Sequence, residues 1–130
     1  MSEKLDLVRS IYAMVEGGDY SSAEWASPDI EYVVADGLEP GTVRGPDGLV
    51  ETMRKAFSVM QGWRDEPESL RELDDGRVLV LSRFRGRGRA SGLEVDQQVA
   101  QVFDIHEGQV TRIVVYFDRD RALDELGLAP

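Results

Sequence analysis

The residues that could carry chemistry in this chain are few, and their types limit the reactions available. The 130-residue sequence contains no cysteine and a single histidine, His106. Thiol nucleophiles, cysteine-ligated metals and multi-histidine metal sites are therefore excluded within one chain. Asp36 with Glu39, and the Asp74–Gly76 turn, lack the spacing of a calcium-binding loop, so we predict no metal and no cofactor. His106 precedes a Glu107-Gly108 turn, where we expect an exposed residue.

Arginines are concentrated in one short stretch. Four of them alternate with other residues over 83–89. Such a pattern occurs in RNA-binding segments, but the net charge of −10 opposes the binding of phosphates. We therefore interpret the stretch as the end of a strand and a glycine-rich connection, and we predict no nucleic-acid partner.

Arg83 is the most specific candidate within this stretch. It follows Leu79 and Leu81 at alternate positions, so the same strand face would carry it into a partly apolar cavity. There its guanidinium could bind a carboxylate or polarise a carbonyl of a ligand. Two alternatives stay open: a permanent ion pair with Asp36, Glu39 or Asp118, or exposure to solvent.

Other polar side chains also allow two interpretations. Gln97 and Gln101 could hold a polar ligand atom, or bond each other and the backbone. Tyr32 could donate to a ligand or to the protein. Asp118 follows a predicted strand end, where a general base could lie, but capping of the next helix also explains it.

The first half of the chain reads as helices with one short strand. We predict a helix over 3–16, a second from Asp19 through Trp25, ended by Pro28-Asp29, a strand over 30–34 and a loop over 35–47. A third helix presents Leu49, Met53, Phe57 and Met60 on one face.

The second half reads as an antiparallel meander followed by a short helix. We predict strands over 64–73, from Val78, over 93–105 and over 110–117, with a turn at Asp74–Gly76 and a connection over 86–92. Val78–Leu81 is apolar on both faces, so its strand should be central, or one of its faces should meet another subunit. This arrangement predicts an α+β fold in a single domain, residues 1–130.

Five short motifs lie in order along the chain: Val8–Tyr12 followed by Gly18-Asp19, Pro28–Tyr32, Gly45, Glu107–Val110, and Tyr116–Arg119 running into Ala122 and Gly127. Together they resemble the SnoaL-like branch of the nuclear-transport-factor-two-like superfamily. The resemblance implies a cone-shaped α+β barrel. Three N-terminal helices would pack on a strongly bent, mainly antiparallel sheet, with a short C-terminal helix. It also implies an apolar pocket and a homodimer through the outer sheet face.

The catalytic residues of two branches are largely missing from the matching positions. The limonene-epoxide-hydrolase-like pattern places its tyrosine at Tyr32 and its arginine at Arg83. Its asparagine and two aspartates fall at Val34, Arg85 and Val115. In the steroid-isomerase-like pattern the two aspartates fall near Val34 and Gln101, and the tyrosine falls beside Tyr12. Neither mechanism keeps its proton acceptor.

The resemblance and the strand alternation together assign residues to the two faces of the sheet. The expected ligand-binding set is Tyr12, Trp25, Tyr32, Val34, Arg83, Arg85, Gln97, Val99, Gln101, Val115 and Phe117. The expected dimer face carries Val80, Phe84, Val102, Val114 and Tyr116, which are too apolar to be left in water.

Three functions remain open from the sequence. The first is a binding protein for a small lipophilic molecule with a carbonyl or carboxylate group. The second is an enzyme of the cyclase, isomerase or epoxide hydrolase kind with non-standard residues, and the third is a non-catalytic dimeric interaction module. We expect a cytoplasmic location and no membrane partner, because no leader or apolar span is apparent.

Overall fold

The computed structural model describes residues 3–16, 24–37 and 40–128. The helices are α1 (Glu3–Glu16), α2 (Gly45–Val59) and α3 (Arg119–Glu125). The strands are β1 (Ala26–Val34), β2 (Gly41–Arg44), β3 (Met60–Glu72), β4 (Val78–Gly88), β5 (Glu94–His106) and β6 (Gln109–Tyr116).

The strands form one curled sheet in the order β2-β1-β6-β5-β4-β3. Strands β3 to β6 make the predicted antiparallel meander, and β1 pairs in parallel with β6. Strand β4 lies between β3 and β5, and its residues Val78, Leu79 and Val80 are all buried. The prediction of a central strand is therefore confirmed, and so is the cone-shaped α+β fold.

Several predicted boundaries were wrong, mostly where pairing extends a strand. Pro28 and Asp29 lie inside β1 instead of ending a helix, and most of the predicted second helix lies outside the described residues. Strand β2 occupies part of the predicted loop because it pairs along the edge of β1, with Val43 opposite Tyr32. Its four residues are too few for a sequence pattern to show.

Two further boundaries shift by a few residues. Met60 begins β3 and does not belong to the helix that contains Leu49. Strand β4 continues to Gly88, because its glycine-rich end still pairs with β3, with Gly88 opposite Met60. The predicted connection over 86–92 is thus shorter than expected.

The sheet has two faces with different coverings. We call the face that packs against α1 and α2 the inner face, and the one that packs against α3 the outer face. The inner core includes Val8, Ile30, Val80 and Val99, all fully buried. The outer cluster is smaller and centres on Ala100, Val102 and Ala122.

Hydrogen bonds fix the chain where β6 ends. The Asp118 side chain accepts from the backbone N–H of Arg121 at 3.2 Å, which confirms it as the cap of α3. Asp36 Oδ1 accepts from the backbone N–H of Phe117 at 2.6 Å and holds the loop after β1 against this strand end. Gly37 has φ of 93°, and a Cβ there would approach the Phe117 ring to 2.9 Å.

Candidate functional site

A cavity of about 110 Å³ lies between the inner face and the helices α1 and α2. Its walls are mostly apolar and aromatic, and they include Ile11, Trp25, Leu49, Met53, Phe103 and Ile113. Such a space holds water or a molecule of a few heavy atoms and is smaller than the usual pocket for a drug-sized ligand.

Polar groups of the cavity come from several elements. Tyr12 belongs to α1, Tyr32 to β1, Thr52 to α2, Asp65 to β3 and Gln101 to β5, and all of them line the cavity. Gln101 is 4% exposed and connects Asp65 with Tyr12: its Nε2 lies 2.8 Å from Asp65 Oδ2 and 2.9 Å from Tyr12 Oη. The same nitrogen lies 3.1 Å from Oγ of Ser82, a fully buried residue of β4. A compact hydrogen-bonded cluster therefore forms the polar end of an apolar cavity.

Asp65 is the carboxyl group of this cluster. Burial raises its pKa to about 6, although hydrogen bonds from Gln101, Ser82 and Tyr12 favour the charged form and act in the opposite direction. Its Oδ1 atom is buried and has no hydrogen-bond partner. One oxygen is thus held by the protein, and the other is left as a free acceptor in a group that can change charge near neutral pH.

The two tyrosines supply hydroxyl groups that stay protonated. Burial, reinforced by the nearby Asp65 charge, raises the pKa of Tyr32 and of Tyr12 above the ordinary tyrosine value. Tyr12 is already bonded within the cluster, whereas the Tyr32 hydroxyl makes no hydrogen bond to any described residue. Tyr32 lines the same cavity as Asp65.

The structure places the predicted residues unevenly. Tyr12, Trp25, Tyr32 and Gln101 line the cavity. Four others belong to the inner side of the sheet without lining the cavity: Val34, Val99, Val115 and Phe117. Gln97 is exposed and donates to the backbone oxygens of Gln98 and Phe117, which is the structural alternative predicted for it. Ligand binding by this set stays a prediction.

The prediction that Arg83 and Arg85 enter the cavity was wrong. In the β4–β5 pairing, Val80 lies opposite Gln101, which lines the cavity, so the even-numbered residues of β4 belong to the inner face. Arg83 and Arg85 are odd-numbered and therefore project from the outer face. There Arg83 Nε lies 3.2 Å from Asp96 Oδ1, and Arg85 Nη1 lies 3.2 Å from Glu66 Oε1.

The same register corrects the predicted dimer face. Val80 and Phe84 pack in the inner core, and the Phe84 ring lies 4.9 Å from Trp63 and 5.9 Å from Phe117 between centroids. Three of the five expected residues do lie on the outer side, namely Val102, Val114 and Tyr116, in the cluster that α3 partly covers. A dimer through this face stays a prediction.

Sequence reasoning missed Asp65 and Ser82. Asp65 stands in Arg64-Asp65-Glu66, which reads as a solvated charged strand. Its inward direction follows only from its position opposite Phe84 in the β3–β4 pairing. A weak signal existed, since Leu70 lies on the same face, but the register shift between Pro67 and Ser69 breaks the alternation that would have linked the two.

Three further features of the sequence concern the single histidine, metal binding and membrane spans. His106 is exposed. Within residues 3–16, 24–37 and 40–128, no cluster of three metal-binding side chains occurs. None of the helices in those same ranges is both long and apolar enough to span a membrane.

The SnoaL-like domain family matches residues 8–113, and the chain belongs to this family. A comparison with curated proteins found no match. The family membership agrees with the resemblance predicted from the sequence.

Solved structures share the whole fold. An NTF2-like protein of unknown function from Burkholderia pseudomallei is 21% identical, with a TM-score of 0.79 over 95% of this chain and 97% of that one. A putative SnoaL-like polyketide cyclase from Jannaschia is 18% identical, with a TM-score of 0.75 over 98% and 93%. TerC, co-crystallised with polyporic acid, is 25% identical, with a TM-score of 0.75 over 96% and 98%.

Proposed function

We propose that this protein binds a small, neutral, lipophilic carbonyl compound in the inner cavity and moves a proton on it, with Asp65 as the base. The carrying observation is the free, buried Oδ1 of Asp65 in an otherwise apolar wall. A carboxylate ligand is disfavoured because the only charged side chain lining the described cavity is itself acidic, and Arg83 points to the other face.

The chemistry needs a proton acceptor and a group that stabilises developing negative charge. Asp65 Oδ1 would remove a proton from the carbon beside the carbonyl, and the C–H electron pair would form the enolate. The Tyr32 hydroxyl would donate to the carbonyl oxygen as it becomes negative. Returning the proton from Asp65 to a different carbon of a conjugated substrate completes an isomerisation, and returning it to the oxygen gives the enol.

The apolar walls support this reaction class in two ways. They favour ligands with a small hydrophobic part, and they exclude water that would otherwise solvate the carboxylate. Among proteins with this fold, TerC was crystallised with an organic acid, and other solved structures carry the names putative polyketide cyclase and putative isomerase. These names describe those proteins, and they make proton transfer on a carbonyl compound a reasonable reaction to test.

The test uses α-proton exchange, which does not require the natural substrate. We would follow the exchange of the α-protons of 2-tetralone, an enolisable aromatic ketone, in D₂O by ¹H NMR. The wild-type protein should accelerate exchange above the buffer rate. Asp65→Asn should lower that acceleration by about 10²-fold or more.

The matched control is Asp96→Asn, the same change in an exposed aspartate on the outer face. It should leave the exchange rate unchanged. If the wild-type protein shows saturable binding of the ketone without exchange, the protein is a binder and the catalytic proposal is wrong. If 2-tetralone and smaller cyclic ketones neither bind nor exchange, both parts fail.

A further inference from the structure

Gln101 has a position that suits it to control the acid–base group, because its amide nitrogen is held beside Asp65. Its amide nitrogen lies within 3.1 Å of three oxygens, one each from Tyr12, Asp65 and Ser82. The residue is 4% exposed, so its side chain is almost completely enclosed by these partners and the sheet. The following inference rests on the proposed function, because it concerns how Asp65 works as a base.

The orientation of the amide follows from the carboxylate beside it. An amide oxygen placed 2.8 Å from Asp65 Oδ2 would repel it, whereas an N–H donates to it. The nitrogen has two hydrogens for three neighbouring oxygens. Asp65 Oδ2, which carries no hydrogen when charged, takes one of them, while the hydroxyls of Tyr12 and Ser82 also have hydrogens of their own.

This arrangement makes the two oxygens of Asp65 unequal. A proton placed on Oδ2 would weaken the hydrogen bond from Gln101, because the oxygen of a neutral carboxyl group is a poorer acceptor than that of a carboxylate. Oδ1 has no hydrogen-bond partner and belongs to the carboxyl group that lines the cavity. The exchangeable proton is therefore directed to the oxygen that no described residue holds.

We propose that Gln101 is a positioning residue that keeps Asp65 Oδ2 as a permanent hydrogen-bond acceptor and so directs proton transfer to Oδ1. Loss of the amide would free Oδ2 to take the proton and would remove a hydrogen bond that favours the charged carboxylate. The hydrogen bond from Gln101 already opposes the effect of burial on the pKa of Asp65, which agrees with this role. The base would then stay protonated to higher pH.

The experiment is an NMR titration of the Asp65 side-chain carboxyl in ¹³C-labelled protein, with the signal identified by its loss in Asp65→Asn. The variant Gln101→Met keeps the side-chain length and removes the amide. It should raise the titration midpoint by about one pH unit. Gln98→Met is the matched control, because Gln98 is exposed and points to the outer face of the same strand.

A second variant keeps the proposal testable if Gln101→Met does not fold. Ser82→Ala retains the amide and frees it for Asp65 and Tyr12, so it should shift the midpoint less than half as far. A midpoint in Gln101→Met equal to that of Gln98→Met would overturn the proposal. If Gln101→Met is unfolded, a midpoint shift of one unit or more in Ser82→Ala would overturn it, because the hydroxyl would then carry the effect.

Measuring 2-tetralone exchange distinguishes a failure of this inference from a failure of the proposed function. If 2-tetralone exchange occurs, its pH profile in Gln101→Met should shift upward together with the carboxyl midpoint, which a merely structural role would not produce. If no exchange occurs in the wild-type protein, the proposed function fails. The carboxyl titration then still decides whether Gln101 controls the protonation of Asp65.

Discussion

Strand β4 presents two adjacent residues, Arg83 and Phe84, to opposite sides of the sheet, and the two sides use charge differently. On the outer face, Arg83, Arg85 and Arg87 each lie beside an acidic partner and remain partly exposed. On the inner face, Phe84 packs in the core, and Asp65 opposite it has one oxygen without a partner.

The difference concerns how each charge is compensated. Each outer arginine lies beside a carboxylate, and such partly exposed pairs contribute little to stability. The Asp65 carboxyl on the inner face is desolvated and incompletely bonded, and this condition raises the pKa of a carboxyl group toward neutral.

The largest expected effect is on the free energy of unfolding, which should fall much more when a packed inner side chain is removed than when an outer one is. Phe84→Ala should lower the free energy of unfolding by about 3–5 kcal/mol, because it leaves a cavity between Trp63 and Phe117. Arg83→Ala, the neighbouring position, should cost under about 1 kcal/mol. Urea unfolding of both variants measures this contrast, and equal costs would contradict the assignment of the two faces.

The second effect is the pH dependence of stability that the buried Asp65 carboxyl introduces on the inner face. Burial raises the Asp65 pKa from 3.8 to about 6, so the folded state binds this proton more tightly than the unfolded state. The resulting stabilisation is present below pH 4 and is lost as the pH rises through 6.

Relative to Asp65→Asn, the wild-type protein should therefore lose roughly 2.4 kcal/mol between pH 4 and pH 7. Unfolding curves of both proteins at a series of pH values measure this difference. A constant difference between wild type and Asp65→Asn would show that the carboxyl is not desolvated.

The smallest effect concerns the outer ion pairs. A double-mutant cycle on Arg83→Gln and Asp96→Asn should give a coupling free energy under about 1 kcal/mol, which decreases in high salt because both side chains are partly exposed. Thermal unfolding in low and high salt measures it. A larger, salt-independent coupling would mean that this pair is buried in an assembly.

Much of the fold could be predicted because its signals are local. The helical spacing in 3–16, the turn at Asp74–Gly76 and the apolar run from Val78 each depend on neighbouring residues, and the structure confirms them. Strand β2 and the inward direction of Asp65 could not be predicted, because each depends on pairing with a distant strand.

The site was predicted only in part, because the face on which a strand residue lies depends on pairing with a distant strand. Tyr12, Tyr32 and Gln101 were correctly expected at the cavity, whereas Arg83 was assigned to it through a one-residue error in the face of β4. A shift of one residue exchanges every side chain of a strand between the faces.

The sequence by itself determined the element types, the family and the supply of polar groups, since these follow from residue identity and local spacing. Only the tertiary structure decided which carboxylate enters the cavity and which arginines leave it. The physical reason is that strand register is set by hydrogen bonds between residues far apart in the chain, and register alone places Asp65 inside and Arg83 outside.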